Sequence, residues 1–380
     1  MSDQKSLHSI CAWTFHAGKG GFTPGHIRHS WEADSFDTIA KIKLIKDKII
    51  PRLPSHIQIG LEMHYDYEVR EDTARATADA LLEAGMWLAM VSPGAHMYFG
   101  YGGIASLDPD ERAAAEAYGR KAVELTCGPL RRAWHPDRDK APTVVIWNGS
   151  FGYDVATPAV KKMYQNLKES VAALCKFGDG LDRGLYWAIE PKPNEGHPAM
   201  LLPTVASTIV FWKKLAGEFG LRLDRKGVNK EFGHSEMIGL DLVHDTIEEI
   251  DNDMLIHMHL NSQGYNDGIV LGGPGKFDID HGVRICGINV ALASLVAEAG
   301  YARWKGHDMQ PRPYDNEEQA TDRVVRSILS WEACVNAASE LDSRKLMTVL
   351  SQRDTAKAED MMREAVSRAQ SHFNRTYGIG

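Results

Sequence analysis

The chain lacks the marks of several protein classes, and each absence narrows what it can do. It has no cluster of five or six Lys/Arg residues and carries a formal charge of −8, which argues against nucleic-acid binding. No apolar stretch approaches the about 20 residues that a bilayer span requires. Ile288–Ala297, the last apolar run before the tail, is far too short, so no membrane partner is expected. The opening, Met1 to Ile10, has none of the charged-then-apolar pattern of a secretory signal. Five cysteines (Cys11, Cys127, Cys175, Cys286 and Cys334) are scattered, odd in number and free of any CxxC pair. They read as reduced packing residues, and the expected compartment is the cytoplasm. Internal repeats, low-complexity stretches and Pro/Gly-rich linkers are missing too. No GxGxxG follows the first candidate strand, so no dinucleotide cofactor is expected.

What is present is the composition of an ordinary globular enzyme: 380 residues, 43% hydrophobic and 25% charged. Short apolar segments alternate with longer amphipathic ones, the pattern of parallel strands joined by crossover helices. Candidate strands are Ile10–Trp13, Ile57–His64, Trp87–Ser92, Thr143–Trp147, Tyr186–Glu190, Lys226–Glu231, Met254–Asn261 and Arg303–Asp308. Helices are expected over Ser35–Ile50, Asp72–Ala84, Asp108–Leu130, Thr157–Leu174, Pro203–Phe219, Met237–Ile250, Val290–Ala299 and Glu317–Leu341. Eight strand–helix pairs predict an α/β fold, a (β/α)8 TIM barrel over residues 1–341. A charged helical tail over 342–380 lies outside that count and could pack on a neighbouring subunit. The alternative, an open doubly wound sheet, lacks its glycine motif.

In such a barrel the active site lies at the carboxyl ends of the strands. Six of the eight candidate strands end in chemically capable groups: His64, Trp147, Glu190-Pro191-Lys192-Pro193, Glu231-Phe232-Gly233-His234, His259-Leu260-Asn261 and His307-Asp308. Carboxylates that converge repel one another and need protons or cations to offset their charge. Glu190, Glu231 and Asp308, joined by His234 and His259, supply hard oxygens plus imidazoles. That mix suits Mg²⁺ or Mn²⁺, with Co²⁺ a further candidate. Singly, each reads as well as a surface carboxylate or a helix-start histidine; together they favour a metal. Asp278-Ile279-Asp280 points two carboxylates to one side and can clamp a second ion, or simply cap the next helix. Asp267, in the glycine-bearing loop before it, competes for that role.

Lys192, fixed between two prolines, can donate to a substrate oxygen or form a Schiff base, against the plainer role of a solvated turn lysine. His64 can serve as the acid–base group that opens a sugar ring, since imidazole titrates near neutral pH. Trp13 and Trp147 can form flat walls for sugar C–H faces, or can be core.

In this order the motifs resemble the xylose isomerase family and its barrel relatives among sugar isomerases and epimerases. The shared elements are the His64 strand, Gly102-Gly103-Ile104 before an acidic helix, Trp147-Asn148-Gly149, Glu190-Pro191-Lys192-Pro193, Glu231-x-x-His234, the pair His259 and Asn261, Asp278-x-Asp280, and Asp308. Glu-Pro-Lys-Pro and Glu-x-x-His are the most specific. The resemblance implies two divalent cations. Glu190, Glu231, His259 and Asp308 resemble the ligands of a structural, substrate-gripping metal. Glu231, His234, Asp278 and Asp280 resemble those of a catalytic one, with Glu231 bridging. His64 resembles the ring-opening residue, Lys192 the lysine that polarises the carbonyl oxygen, and Trp147 a substrate wall, with Trp13 and Asn261 expected beside it.

Three departures stand out. His259 occupies a position where xylose isomerases carry Asp, as in rhamnose isomerase and epimerase branches. The Asp pair arrives late, behind an insertion near Tyr265–Gly273. The acid expected three residues after the ring-opening histidine is Tyr67, with Asp66 as the substitute. The reading implied is a metal-dependent aldose–ketose isomerase working by ring opening and a 1,2-hydride shift, on a small-molecule sugar, as a homodimer or homotetramer. An epimerase or related keto-sugar enzyme working through a metal-stabilised enediolate is the alternative. A metal-assisted hydrolase or endonuclease is the reading from another class, and the acidic chain offers it no basic groove.

Overall fold

The computed structural model describes residues 5–15, 37–194, 197–263, 281–312 and 315–378. Eight parallel strands close into one barrel in chain order: β1 Ser6–Cys11, β2 Ile57–His64, β3 Trp87–Ser92, β4 Thr143–Trp147, β5 Tyr186–Glu190, β6 Lys226–Glu231, β7 Leu255–His259 and β8 Lys305–His307. Closure comes from β1 pairing with β8, Ile10 opposite His307, as well as with β2. The expected (β/α)8 TIM barrel is therefore the observed fold.

Around it run α1 Thr38–Leu44, α2 Ala74–Glu83, α3 Pro109–Cys127, α4 Val160–Leu181, α5 Val205–Phe219, α6 Leu242–Asp251, α7 Gly287–Glu298 and α8 Glu317–Ser339. Their starts carry side-chain acceptors for otherwise orphaned N–H groups. Asp37, Asp108 and Asp241 cap α1, α3 and α6, and Thr204/Ser207 and Asn316/Gln319 form capping boxes on α5 and α8. No helix among the described residues is long and apolar enough to cross a membrane.

Among the segments that differ from the sequence expectation are two near the start of the chain. The first strand runs over Ser6–Cys11 rather than Ile10–Trp13, because Ala12–Phe15 coil into a 3₁₀ turn that swings Trp13 over the barrel. The first helix gives way after Leu44 to a π turn, Ile45–Ile49, and then to a 3₁₀ turn containing Pro51, whose missing N–H ends the helical ladder. The tail forms α9 Ser343–Ser351 and α10 Thr355–Tyr377. Helix α10 lies against α8 and α7 of its own chain and adds Ala365, Ala369 and Phe373 to the main core.

Inside the barrel the side chains change character with height. Leu7, Ala89 and Trp304 form a closed apolar floor. Gly60 makes room for it, since a Cβ there would lie 2.9 Å from both Ala89 and the Trp304 ring. One layer up, Ser9, Glu62 and His257 are fully buried and polar. Above them the strands end in the residues described next. Register shifts at Leu61/Glu62 and Val228/Asn229 sit directly below those ends, where a bulge re-aims side chains.

Candidate metal centre

β5, β6 and β7 are neighbours, so Glu190, Glu231 and His259 at their carboxyl ends converge, with Asp308 following β8. His259 stands at the middle. Its Nδ1 lies 2.9 Å from Glu231 Oε2, 3.2 Å from Glu190 Oε2 and 3.4 Å from Asp308 Oδ2. All four residues are enclosed: Glu190, Glu231 and His259 are buried, and Asp308 is nearly so. Amides and an indole hold the carboxylates in place. Asn229 Nδ2 donates to Glu190 Oε2 at 2.5 Å, and Trp13 Nε1 donates to Asp308 Oδ1 at 2.7 Å. Asn261, expected on the substrate, has its amide N–H on Glu231 and its oxygen on the Gly233 N–H at 2.7 Å, so it orients Glu231.

The second group lies beside the first. His234, on the single helical turn Phe232–Met237, donates from Nδ1 to the Pro191 carbonyl at 2.9 Å. Its Nε2 therefore carries the lone pair, which accepts from Lys192 Nζ at 3.1 Å. Ligand atoms of Glu190, Glu231 and His234 lie within 4.8 Å of one another, as do those of Glu231, His259 and Asp308. Glu231 is common to both sets. Asp278, Asp280 and the competing Asp267 lie outside the described residues.

The electrostatics fit a cation. Burial pushes Asp308 up to about 8, with Glu231 and Glu190 adding to it against His259. Burial likewise raises Glu231. Glu190 is instead held down, because His259, by its charge and its hydrogen bond, outweighs the burial. For His259, burial works against the charged ring, but Glu62 and Glu190 drive it well above the usual imidazole range. A proton on Asp308 and an extra proton on His259 stand where a divalent ion would supply the same positive charge. Carboxylate oxygens with imidazole nitrogens are the donors that Mg²⁺ and Mn²⁺ accept.

Beside this centre a set of rings packs together. Trp13 tilts against His64 at 4.3 Å between ring centroids. His96 meets His64 at 5.4 Å and the Trp147 ring edge-on at 4.4 Å. Lys192 Nζ lies 5.4 Å from the Trp147 ring. The Trp147 indole occupies the space where a Cβ on Gly149 would be, 2.1 Å away, so that glycine is a steric requirement. Asn148 Nδ2 reaches the carbonyls of Lys192, Leu201 and Leu202, which pins the Lys192 loop. Burial, with His64 and Lys192 nearby, lowers His96 to about 3, so it is a neutral ring.

The acid beside His64 is neither Tyr67 nor Asp66. Glu68 takes that place: its Oε2 accepts from the His64 N–H at 2.7 Å and from Nδ1 at 3.0 Å. Asp66 sits in a left-handed turn (φ 67°) that carries the chain past and lets position 68 fold back. Sequence reasoning also passed over Glu62, Asn229, His257 and His96. The period-two alternation of strands gives a signal for three of them. Glu62 shares a face with His64, Asn229 with Glu231, and His257 with His259.

A parallel eight-stranded barrel with a carboxylate–histidine cluster at its carboxyl-end mouth defines the class as TIM-barrel proteins with a candidate metal centre. No protein-family model matches the chain. Among curated proteins it is 30% identical over 256 residues to xylose isomerase of Thermus thermophilus, and 28% identical over the same length to that of Thermus caldophilus. Each match covers 66% of this chain and 59% of the relative, so the chain spans under two thirds of the length of these relatives. Among solved structures, L-ribulose 3-epimerase superposes with a TM-score of 0.57 at 12% identity, over 88% of this chain and 95% of that one. The chain is thus similar in sequence to xylose isomerases over part of their length, and its fold is that of the solved sugar epimerase barrel.

Proposed function

We propose that the chain is a metal-dependent sugar isomerase that interconverts an aldose and a ketose by ring opening and a 1,2-hydride shift. The observation that carries this reading is the buried convergence of Glu190, Glu231, His259 and Asp308 on one point beside the packed rings of Trp13, His64, His96 and Trp147. Those four residues would hold one divalent cation, Mg²⁺ or Mn²⁺ with Co²⁺ a further candidate. Glu231 and His234, with Asp278 and Asp280, would hold a second. When bound, the cations would supply Lewis-acid polarisation of substrate oxygens.

The chain's own residues do the rest. His64, its Nδ1 bonded to Glu68, gives its other nitrogen to the ring oxygen and anomeric hydroxyl and moves the proton that opens the ring. Lys192 donates from Nζ to the carbonyl oxygen as negative charge grows there. Hydrogen then passes with its electron pair from C2 to C1, the O2 proton is lost, and O1 gains one, so an aldehyde and a secondary alcohol become a primary alcohol and a ketone. Trp13 and Trp147 flank the sugar's C–H faces. A homodimer or homotetramer is part of the same reading. It is supported by an apolar groove lined by Leu346, Leu350, Met362 and Val366, with Met347 and Ile288 exposed beside it.

Metal-loaded protein should interconvert one aldose–ketose pair in a panel of free aldoses, ketoses and keto-glycosides. With C2-deuterated substrate the label should be retained at C1. One observation favours a second reading, an epimerase working through an enediolate: the histidine at position 259 in place of a carboxylate. Washout of the label during single turnovers would select that reading. Inertness toward the whole panel would end both.

A further inference from the structure

Glu62 has no part in the reaction outlined above, yet both its carboxylate oxygens are held inside the barrel. It sits inside β2 with no exposure to solvent. Its Oε1 accepts from the Ser9 hydroxyl at 2.5 Å and lies 3.0 Å from His257 Nε2. Its Oε2 lies 2.8 Å from His259 Nε2. Ser9 gives its hydroxyl proton to Oε1, and the Asn229 amide donor Nδ2 lies 3.2 Å from His259 Nδ1, so Nδ1 is the acceptor of that ring and Nε2 the donor to Glu62. His259 therefore carries a proton on Nε2, and the nitrogen aimed at Glu190, Glu231 and Asp308 is Nδ1.

The barrel is shaped for this contact. A Cβ on Gly306, the inward residue of β8, would lie 2.3 Å from Glu62 Oε1 and 2.7 Å from His259 Cδ2. Any larger residue would force the two side chains apart. Cys11, Glu62 and His259 also form a group close enough to be considered for an ion of their own, with Cys11 Sγ 3.7 Å from Glu62 Oε2. The 2.8 Å separation of Glu62 and His259 is a direct hydrogen bond and leaves no space for an ion between them.

We propose that Glu62 is a positioning residue for the metal centre, locking His259 with its proton on Nε2 so that Nδ1 faces the cation. This rests on the reading that Glu190, Glu231, His259 and Asp308 hold a divalent cation. Carboxylates behind ligating histidines fix ring orientation and raise ligand basicity, and their loss costs about 10–100-fold in metal affinity.

The test is Mn²⁺ titration of EDTA-treated wild type and Glu62→Gln, followed by electron paramagnetic resonance, with ring ¹⁵N NMR of His259 in protein loaded with diamagnetic Mg²⁺. The His259 signal is identified by its loss in His259→Gln. The expected results are a dissociation constant weaker by about 10–100-fold in Glu62→Gln, and a wild-type His259 protonated at Nε2. Equal Mn²⁺ affinity in the two proteins overturns the proposal and leaves the metal reading standing. No saturable binding to the wild type defeats both. If Glu62→Gln does not fold, the wild-type spectrum decides alone: a loaded His259 protonated at Nδ1 overturns the assignment.

Discussion

The floor and the mouth of the barrel are built from the same eight strands and solve opposite problems. At the floor, Leu7, Ala89 and Trp304 exclude water, and the Trp304 indole finds the Lys140 carbonyl at 2.9 Å. Every group there is apolar or paired, which is how a buried layer adds stability. At the mouth, carboxylates crowd around one imidazole, and burial raises both Glu231 and Asp308 toward their neutral forms. Without a cation that arrangement costs stability; its geometry makes sense as a binding site. The layer of Ser9, Glu62 and His257 between them is polar like the mouth, with both Glu62 oxygens paired although His257 Nδ1 is not. Stability and chemistry are thus separated along the barrel axis, and substitutions should separate in the same way.

The largest effect belongs at the mouth. Glu231→Gln should lower turnover at least about a thousandfold and weaken both cation sites together. Its cation-free melting temperature should be unchanged or higher, because one repelling carboxylate is gone. Retention of two-cation binding with turnover would show that Glu231 does not bridge. At the floor, Trp304→Ala should lower unfolding free energy by about 3–5 kcal/mol, read by denaturant titration, with cation affinity within about twofold of wild type. A large change in affinity there would break the separation.

Glu249 gives a third reading, away from both regions. It is fully buried on α6, and neither carboxylate oxygen has a hydrogen-bond partner. Burial pushes it up to about 8, with Lys230 opposing and Asp245 adding. The folded state thus holds this proton more tightly than the unfolded chain, where the group titrates near 4.5. Its contribution to stability is full below that value and is lost as pH rises toward 8. Glu249→Gln, which cannot ionise, should therefore stabilise the protein at pH 9 by on the order of 2 kcal/mol, with the gain fading to nothing by pH 5. Melting curves across that range check it, and a gain that grows toward acid would reverse the assignment. Smallest of all, Trp13→Phe keeps the aromatic wall but removes the N–H on Asp308. It should weaken Mn²⁺ binding by roughly three- to tenfold while leaving unfolding free energy within about 1 kcal/mol.

Much of this was legible in the residues. Strands β2 to β5 fall where apolar runs put them, β6 falls in place despite Lys226, Asn229 and Lys230, and Glu190, Glu231, His259 and Asp308 meet at the mouth because neighbouring strands end together. The first strand was displaced because Ser6, His8 and Ser9 break the apolar pattern. His8 in fact turns into a buried network with His307 and Glu332, and Ser9 into the Glu62 layer. Glu62 escaped notice because a lone carboxylate in an apolar strand reads as a solvent-facing residue. Only the pairing of β2 with β1, and the position of β7 across the barrel, reveal that it faces inward. Glu68 was missed by one residue, since spacing along the chain cannot show the left-handed turn at Asp66.

The most direct measurement is calorimetric titration of EDTA-treated protein with Mn²⁺, on the wild type and on His259→Gln. The account predicts saturable binding to the wild type and loss of at least one site in the variant, at a pH where both remain folded by circular dichroism. No saturable binding to the wild type, or the same stoichiometry and affinity in both proteins, would contradict it.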